Sequence, residues 1–428
     1  MRVRHSTRPW KTLTVLLLVA GVVTTGFVAS TASAKGTQKV TLRIGLFGDF
    51  GYHDLYKQFE ASHPNVEIKE DVQQYADHHS NVAKFLATGS GAEDIVAIEV
   101  GFIAQFKANP RNFYDLRQFG AAKLRKRWLP WKWQQSLGRG GAQIGLGTDV
   151  GSLAICYRRD LFKQAGLPTN RNAVSKLWPT WKDYVKVGQR YQRRAPAGTR
   201  FFDSGSNVYN AMIGQLNPAY YNKSGKVIVA TNPAVKRAWN LTMDAIRKSE
   251  SAGFAAFSDA WNTGYKRGSF ATVTCPAWMM GYIQGQAPDT AGKWDIAAVP
   301  GGGGNWGGSF LAIPRQTDHA REAYELIRFL TSPTAEAYVF KQTGNLPSQP
   351  ALLRSRAVQA FRNPFFSNAP VGKIFATSAL KLKPQIIGPN QGDIQTAVSN
   401  AIQRVEQRKQ SPSASWKQFL KDVKNVTS

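Results

Sequence analysis

The 428-residue chain holds only two cysteines, Cys156 and Cys275. That number excludes a disulfide-dense scaffold, and two thiols alone do not make a structural zinc site. Acidic residues are scarce, 27 against 55 Lys and Arg, so the formal charge is +28. Histidines number six, and no H-E-x-x-H joins any of them. His78 and His79 are adjacent at the start of an expected helix, so they do not share the face that paired metal ligands need. No G-x-S-x-G serine elbow is present, and no lysine followed by Ser or Thr closes a phosphate loop. After residue 34 no segment is apolar enough to span a bilayer. There is no repeat at solenoid spacing.

The charge is spread thinly. KLRKRW (123–128) is the densest basic cluster, and neither zinc-finger spacing nor an RNA-binding aromatic motif accompanies it. The reading is a solubilising surface facing an anionic wall or membrane, with no specific nucleic-acid partner. The two cysteines fall in expected strands, SLAICYR and FATVTC. In an oxidising compartment an even pair is a disulfide candidate, against the alternative of two separate buried thiols. We expect the bond.

An oxidising compartment is what the first residues imply. MRVRHSTRPWK is basic, TLTVLLLVAGVVTTGFVA is apolar, and ASTASAK places Ala32 and Ala34 as an A-x-A cleavage site. Residues 1–34 read as a signal peptide, with an uncleaved membrane anchor as the alternative. Removing them takes away Arg2, Arg4, Arg8 and Lys11, so +28 becomes +24. The bulk of the protein is expected outside the cell, secreted or on the outer face of the membrane.

Past the leader, strand and helix signals alternate. KVTLRIGLF (39–47) and VEIKEDV (66–72) read as strands around a helix from His53 that Pro64 stops. NVAKFLATGSG (81–91) reads as a helix, DIVAIEV (94–100) as a strand. The pattern resumes with SLAICYR, a helix after Thr180 and a long helix over 234–249. It continues with the strands FATVTC, WDIAAVP and SFLAIP and a helix over 319–330. The basic tail KQFLKDVKNVTS reads as surface. This is α/β alternation with sheets covered on both faces, in more than one core.

Aromatic residues are plentiful, with 12 Trp, 14 Tyr and 23 Phe. Trp261, Trp278, Tyr282 and Trp306 lie among glycines, prolines and polar residues, a setting that suits the apolar faces and hydroxyl rim of a sugar. Asn305 and Trp306 sit inside VPGGGGNWGGSF (299–310), whose six glycines allow close approach of backbone amides. For Trp306, ordinary packing is the equal alternative. The carboxylates Asp49, Glu99, Asp149 and Asp203 lie near apolar strands and suit either hydroxyl binding or a glycosidase pair; sequence alone does not set their separation.

Four groups of segments together resemble a known family. They are LRIGLFGDFGYHDLYKQFEASHPNVEIKE; SLAICYRRDLFKQAGLP with SKLWPTWKDYVKVGQRY; FATVTCPAWMMGYI with GKWDIAAVPGGGGNWGGSFLAIP; and RFLTSPTAEAYVFKQTGNLPS. Over residues 39–424 the chain resembles the extracellular solute-binding proteins of carbohydrate ABC importers, the group containing the maltodextrin-binding protein. Within that group it is most similar to actinobacterial binders of cello- or xylo-oligosaccharides. The resemblance implies a two-lobed periplasmic-binding-protein clamp of type II, with mixed central sheets, flanking helices and about three crossings between lobes. The lobes would be 35–149 with about 308–345, and 150–307 with about 346–428. It implies sugar contacts at Asp49 of GDFGY, Glu99, Asp203 and Tyr209 of FFDSGSNVYN, and a stacking role for Trp278 of CPAWM. Near IIGPNQGDIQ (386–395) some relatives carry a further stacking tryptophan that is missing here. The usual lipid-anchor cysteine of Gram-positive relatives is missing too. A monomer that needs no cofactor, binds an oligosaccharide and delivers it to membrane permease subunits is the expectation. A non-carbohydrate clamp and a secreted polysaccharide-acting enzyme are the alternatives.

Overall fold

A computed structural model describes residues 39–428, and the expected leader (1–34) lies outside them. The strands are β1 (Val40–Leu46), β2 (Val66–Val72), β3 (Ile95–Glu99), β4 (Gly145–Gly147), β5 (Asp149–Val150), β6 (Leu153–Arg158), β7 (Arg200–Phe202), β8 (Phe270–Pro276), β9 (Trp294–Ala297), β10 (Ser309–Ala312) and β11 (Leu346–Pro347). They form a five-stranded sheet, β2-β1-β3-β10-β4, and a four-stranded sheet, β7-β8-β6-β9. In the first, β1 runs parallel to β2 and β3, while β10 is antiparallel to β3 and β4. In the second, β7 and β8 are parallel and β6 is antiparallel to β8 and β9. Both sheets are mixed, each at the centre of one lobe of the expected two-lobed α/β fold.

Alternation along the strands explains why both faces are covered. Ile95 and Ala97 of β3 enter one core and Val96 and Ile98 the other. Leu153, Ile155 and Tyr157 of β6 share a core with helices on one side, while Ala154 and Cys156 face the opposite core. Helix signals hold where a cap is explicit. Thr180 accepts the Asp183 N–H and opens the helix Trp181–Gln192, burying Tyr184 and Val187.

Two expectations need correction. The helix read from residue 81 begins at Tyr75 and ends at the left-handed Gly89. Its first turns, YADHHS, carry no apolar period because the buried side chains there are the imidazoles of His78 and His79. The tail is also not plain surface. Pro412–Thr427 is a helix whose Trp416, Phe419 and Val423 are buried in the core that takes Ile394, Val398 and Ile402 of the helix Gln391–Glu406. Lysines between those positions mask the apolar face in a linear reading.

The chain passes between the sheets three times. Residues 148–152 lead from β4 to β6, residues 298–308 from β9 to β10, and the chain returns through β11, which pairs with β5. The glycine run is therefore a crossing segment. Its backbone is tied down by Trp306 N–H donating to Gly151 O (2.8 Å) and Asn305 N–H to Gly214 O (3.2 Å). A Cβ on Gly151 would sit 1.7 Å from Trp306 O, so only glycine lets the two crossing segments touch. Cys156 and Cys275 are disulfide-bonded across β6 and β8, Cα to Cα 5.5 Å.

Candidate functional site

Where the crossings meet, a cleft with about 590 Å³ of unfilled space opens between the sheets. One wall comes from the end of β3 and the helix after it (Glu99, Val100, Gly101) and from the helix Pro130–Gln135, which contributes Trp131 and Gln135. The facing wall comes from the helix Gly205–Ile213 (Asn210, Ile213) and from Tyr220. Asn305, Trp306 and Gly307 of the glycine run and residues 382–395 complete it, the last including Gln385, Gln391 and Gln395. Three carbonyl oxygens here, Gln135 Oε1, Asn305 Oδ1 and Gln391 Oε1, are buried without a hydrogen-bond partner. Unmade hydrogen bonds of buried amides cost about 1–3 kcal/mol each, so these oxygens favour a donor supplied by water or by a bound solute.

Glu99 is the one carboxylate of the cleft wall. It sits at the N-cap of the helix Val100–Phe106. Its Oε2 accepts from Gly101 N–H (2.5 Å) and Tyr75 hydroxyl (3.1 Å), and no hydrogen bond engages Oε1. Behind it, the Glu99 N–H donates to His79 Nε2 (3.1 Å), and His79 Nδ1 faces Tyr75 O (2.7 Å), so the ring is a neutral tautomer. Burial raises the Glu99 carboxyl to about 7, against the pull of its two donors and of Lys132. Lys132 is itself buried, its ammonium 3.9 Å from the Phe310 ring centroid. Burial draws it down to about 8, opposed by Asp149 and Glu99.

Other buried carboxyls behave alike. Burial raises Asp203 to about 6, Glu406 to about 7 and Glu250 to about 9. The native protein thus holds protons that an unfolded chain has released, and the stability these groups give falls as pH rises from the ordinary carboxylate value of about 4 to their raised values, the last of them at about 9. His78 and His79 are both lowered by burial, His79 to about 3, so stability also falls as pH drops below the ordinary imidazole value of 6.5. We expect a melting temperature several degrees higher at about pH 6.5 than at about pH 8. Differential scanning calorimetry over that range checks it. A melting temperature that climbs steadily to pH 8 would refute protonated burial of these carboxyls.

The residues singled out from sequence divide into three sets. Glu99, Asn305 and Trp306 line the cleft. Trp278 is half-buried beside it, and Tyr282 is half-buried against Phe257 and Trp261. The Trp278 indole N–H donates to Trp306 O (3.1 Å), its ring meets Trp306 edge-to-face at 5.6 Å, and Tyr282 donates to Asn262 Oδ1 (2.6 Å). The remainder lie elsewhere. Asp49 is exposed and accepts from Gly51 N–H (2.7 Å). Asp149 is buried, accepts from Thr148 and from Ser309 N–H, and faces a separate cavity of about 240 Å³ with Glu336. Asp203 and Trp261 are fully buried and bonded to each other (2.8 Å), and Tyr209 is fully buried in a core. Sequence reasoning passed over Trp131, Gln135, Gln385 and Gln391. The indole in PWKWQQ was a usable signal; glutamines follow no pattern that separates a ligand contact from a solvated surface.

This geometry is a ligand cleft between two lobes, and comparison with known proteins places it in a family. The model for bacterial extracellular solute-binding proteins matches residues 54–363, and the chain belongs to that family, one of binding proteins and not enzymes. A solved structure described as an extracellular solute-binding protein family 1 is 43% identical, with a TM-score of 0.80 over 91% of this chain and 100% of that one. The arabinooligosaccharide-binding protein of Bacillus subtilis (strain 168) is 29% identical over 332 residues, 74% of each chain. The lactose-binding protein of Rhizobium radiobacter is 22% identical over 400 residues, 89% of this chain and 90% of that one.

Proposed function

We propose that the protein captures a short, neutral oligosaccharide outside the cell and delivers it to the membrane permease of an ABC importer. The observation that carries this reading is the convergence of three unpartnered amide oxygens, on Gln135, Asn305 and Gln391, in a cleft bounded by Trp131 and Trp306. Sugar hydroxyls supply the missing donors and sugar C–H faces pack the indoles. Among the described residues the cleft wall carries no Lys or Arg, so an anionic solute finds no direct partner on them. Glu99 Oε1 acts as a hydroxyl acceptor, not as an acid or base. The lobes, 35–149 with about 308–345 and 150–307 with about 346–428, close on the sugar about the crossing segments, and the permease reads the closed form.

For the sugar itself, the segments CPAWM and VPGGGGNWGGSF support the cello- or xylo-oligosaccharide reading. The arabinooligosaccharide-binding relative, at 29% identity, supports adding arabino-oligosaccharides as the rival series. A thermal-shift screen across cellobiose, xylobiose, arabinobiose, maltose and their tetramers tests both. A ligand at about 100 times its Kd stabilises the folded state by about 2.7 kcal/mol, so at least one series raises the melting temperature. Chromatography of the recovered sugar should find it unchanged. No shift with any saccharide, or cleavage of the ligand, would sink the proposal.

A further inference from the structure

Among the described residues five non-glycine positions have a left-handed backbone, and four of them are Ser249, Ser367, Asn368 and Arg408. The fifth is Phe257, with φ of 66°. A bulky side chain in that region is strained. The residue is also 46% exposed. Strain together with exposure is a poor arrangement for stability alone. The position immediately precedes Ser258, whose hydroxyl caps the helix Asp259–Arg267 by accepting the Trp261 N–H. An apolar residue there can staple a helix start, but the partner such a staple uses, four residues into the helix, is polar Asn262.

What Phe257 does complete is a row of rings. It stands 6.3 Å from Trp278 with planes only 22° apart, and it is held edge-on by Trp261 at 5.2 Å and Tyr282 at 5.5 Å. Trp278 in turn meets Trp306 at 5.6 Å. The row therefore runs outward from the cleft wall, Trp306 to Trp278 to Phe257, with the outermost ring the most exposed. Its steps are comparable to those between successive rings of an oligosaccharide. The support is rigid, because fully buried Asp203 fixes the Trp261 indole (2.8 Å) behind it.

We propose that Phe257 is an outer stacking subsite that sets the preferred ligand length, holding the sugar ring that extends beyond the main cleft. This rests on the oligosaccharide reading above. Strain is retained because the left-handed backbone turns the ring into line with Trp278.

Phe257→Gly separates this role from a structural one, since glycine adopts φ of 66° freely. Calorimetric titration would use biose and tetraose pairs of the arabino-, xylo- and cello- series. The unliganded variant should melt at the parent temperature or about 1–2 °C higher. Its tetraose Kd should rise roughly tenfold while its biose Kd stays within about twofold. Phe257→Tyr should keep the parent affinity for tetraose. The subsite is overturned if biose and tetraose weaken alike, if neither weakens, or if Tyr loses as much as Gly. A melting temperature lower by several degrees assigns the ring to the helix start and overturns it too. If biose binds the parent protein and only the length effect fails, the oligosaccharide reading stands. If no saccharide binds the parent, both fall.

Discussion

Trp278→Ala should weaken oligosaccharide binding by about 2–4 kcal/mol, the loss expected of a central aromatic anchor. Two contributions combine. The half-buried ring is the middle member of the row from Trp306 to Phe257. Its indole N–H also holds Trp306 O, and with it the crossing segment on which Asn305 and Trp306 ride. Gly307 lies so close that a Cβ there would be 2.9 Å from the indole nitrogen and 3.8 Å from Glu99 Oε1. The tryptophan and the cleft carboxylate thus flank one stretch of backbone. Trp306→Ala should cost less, about 1–2 kcal/mol, because its segment stays pinned through Gly151 and Gly214. Isothermal titration with the best saccharide of the screen measures both. Trp278→Ala binding like the parent would show that no sugar stacks there. A variant that no longer folds would make this a core residue.

Replacing both Cys156 and Cys275 by alanine should lower the unfolding free energy by about 2–4 kcal/mol. The bond closes a loop with a sequence separation of 119 residues, long enough for a large restriction of the unfolded chain. Both side chains are fully buried among Val273, Tyr265 and Trp294, so truncation also leaves space that the core fills poorly. Sugar affinity should change little by comparison. β8 remains paired with β6 and β7 by backbone hydrogen bonds, and it is β8 that leads into Ala277 and Trp278. Denaturant titration of the double variant checks the stability, and thiol titration of the unfolded, unreduced parent should find no free thiol. Equal stability of variant and parent would mean that the bond contributes nothing under those conditions.

Cleavage after Ala34 is the expectation from the A-x-A pattern, and the mass of the mature chain tests it: a chain starting at Lys35 supports a signal peptide and an intact one an anchor. Such local signals carried far into the fold. β2 runs over VEIKEDV as its β-branched alternation implies, the helix after Thr180 starts at its cap, and the apolar runs IVAIE and FATVTC are the buried central strands. Each of these reflects energetics within a few residues, a period, a cap or a stop, which a linear chain displays.

The cleft is a different matter. Trp261 and Trp278 stand in similar polar, glycine-bearing surroundings, yet one is fully buried on Asp203 and the other half-open beside Trp306. Asp203 and Tyr209, in a segment that resembles sugar-contacting ones, face the interior of their own lobe. Gln135 and Gln391 look like any surface glutamine until the helices that carry them meet. What brings residues 99, 135, 305 and 391 to one cleft is the insertion of β10 between β3 and β4 and the three crossings that follow from it. Those are pairings between distant segments, chosen by the summed burial of two sheets, and no local period encodes them. The sequence by itself determined most of the elements and the disulfide candidates. Only the tertiary structure decided which aromatic rings and amides face the cleft, because exposure is a property of the assembled packing.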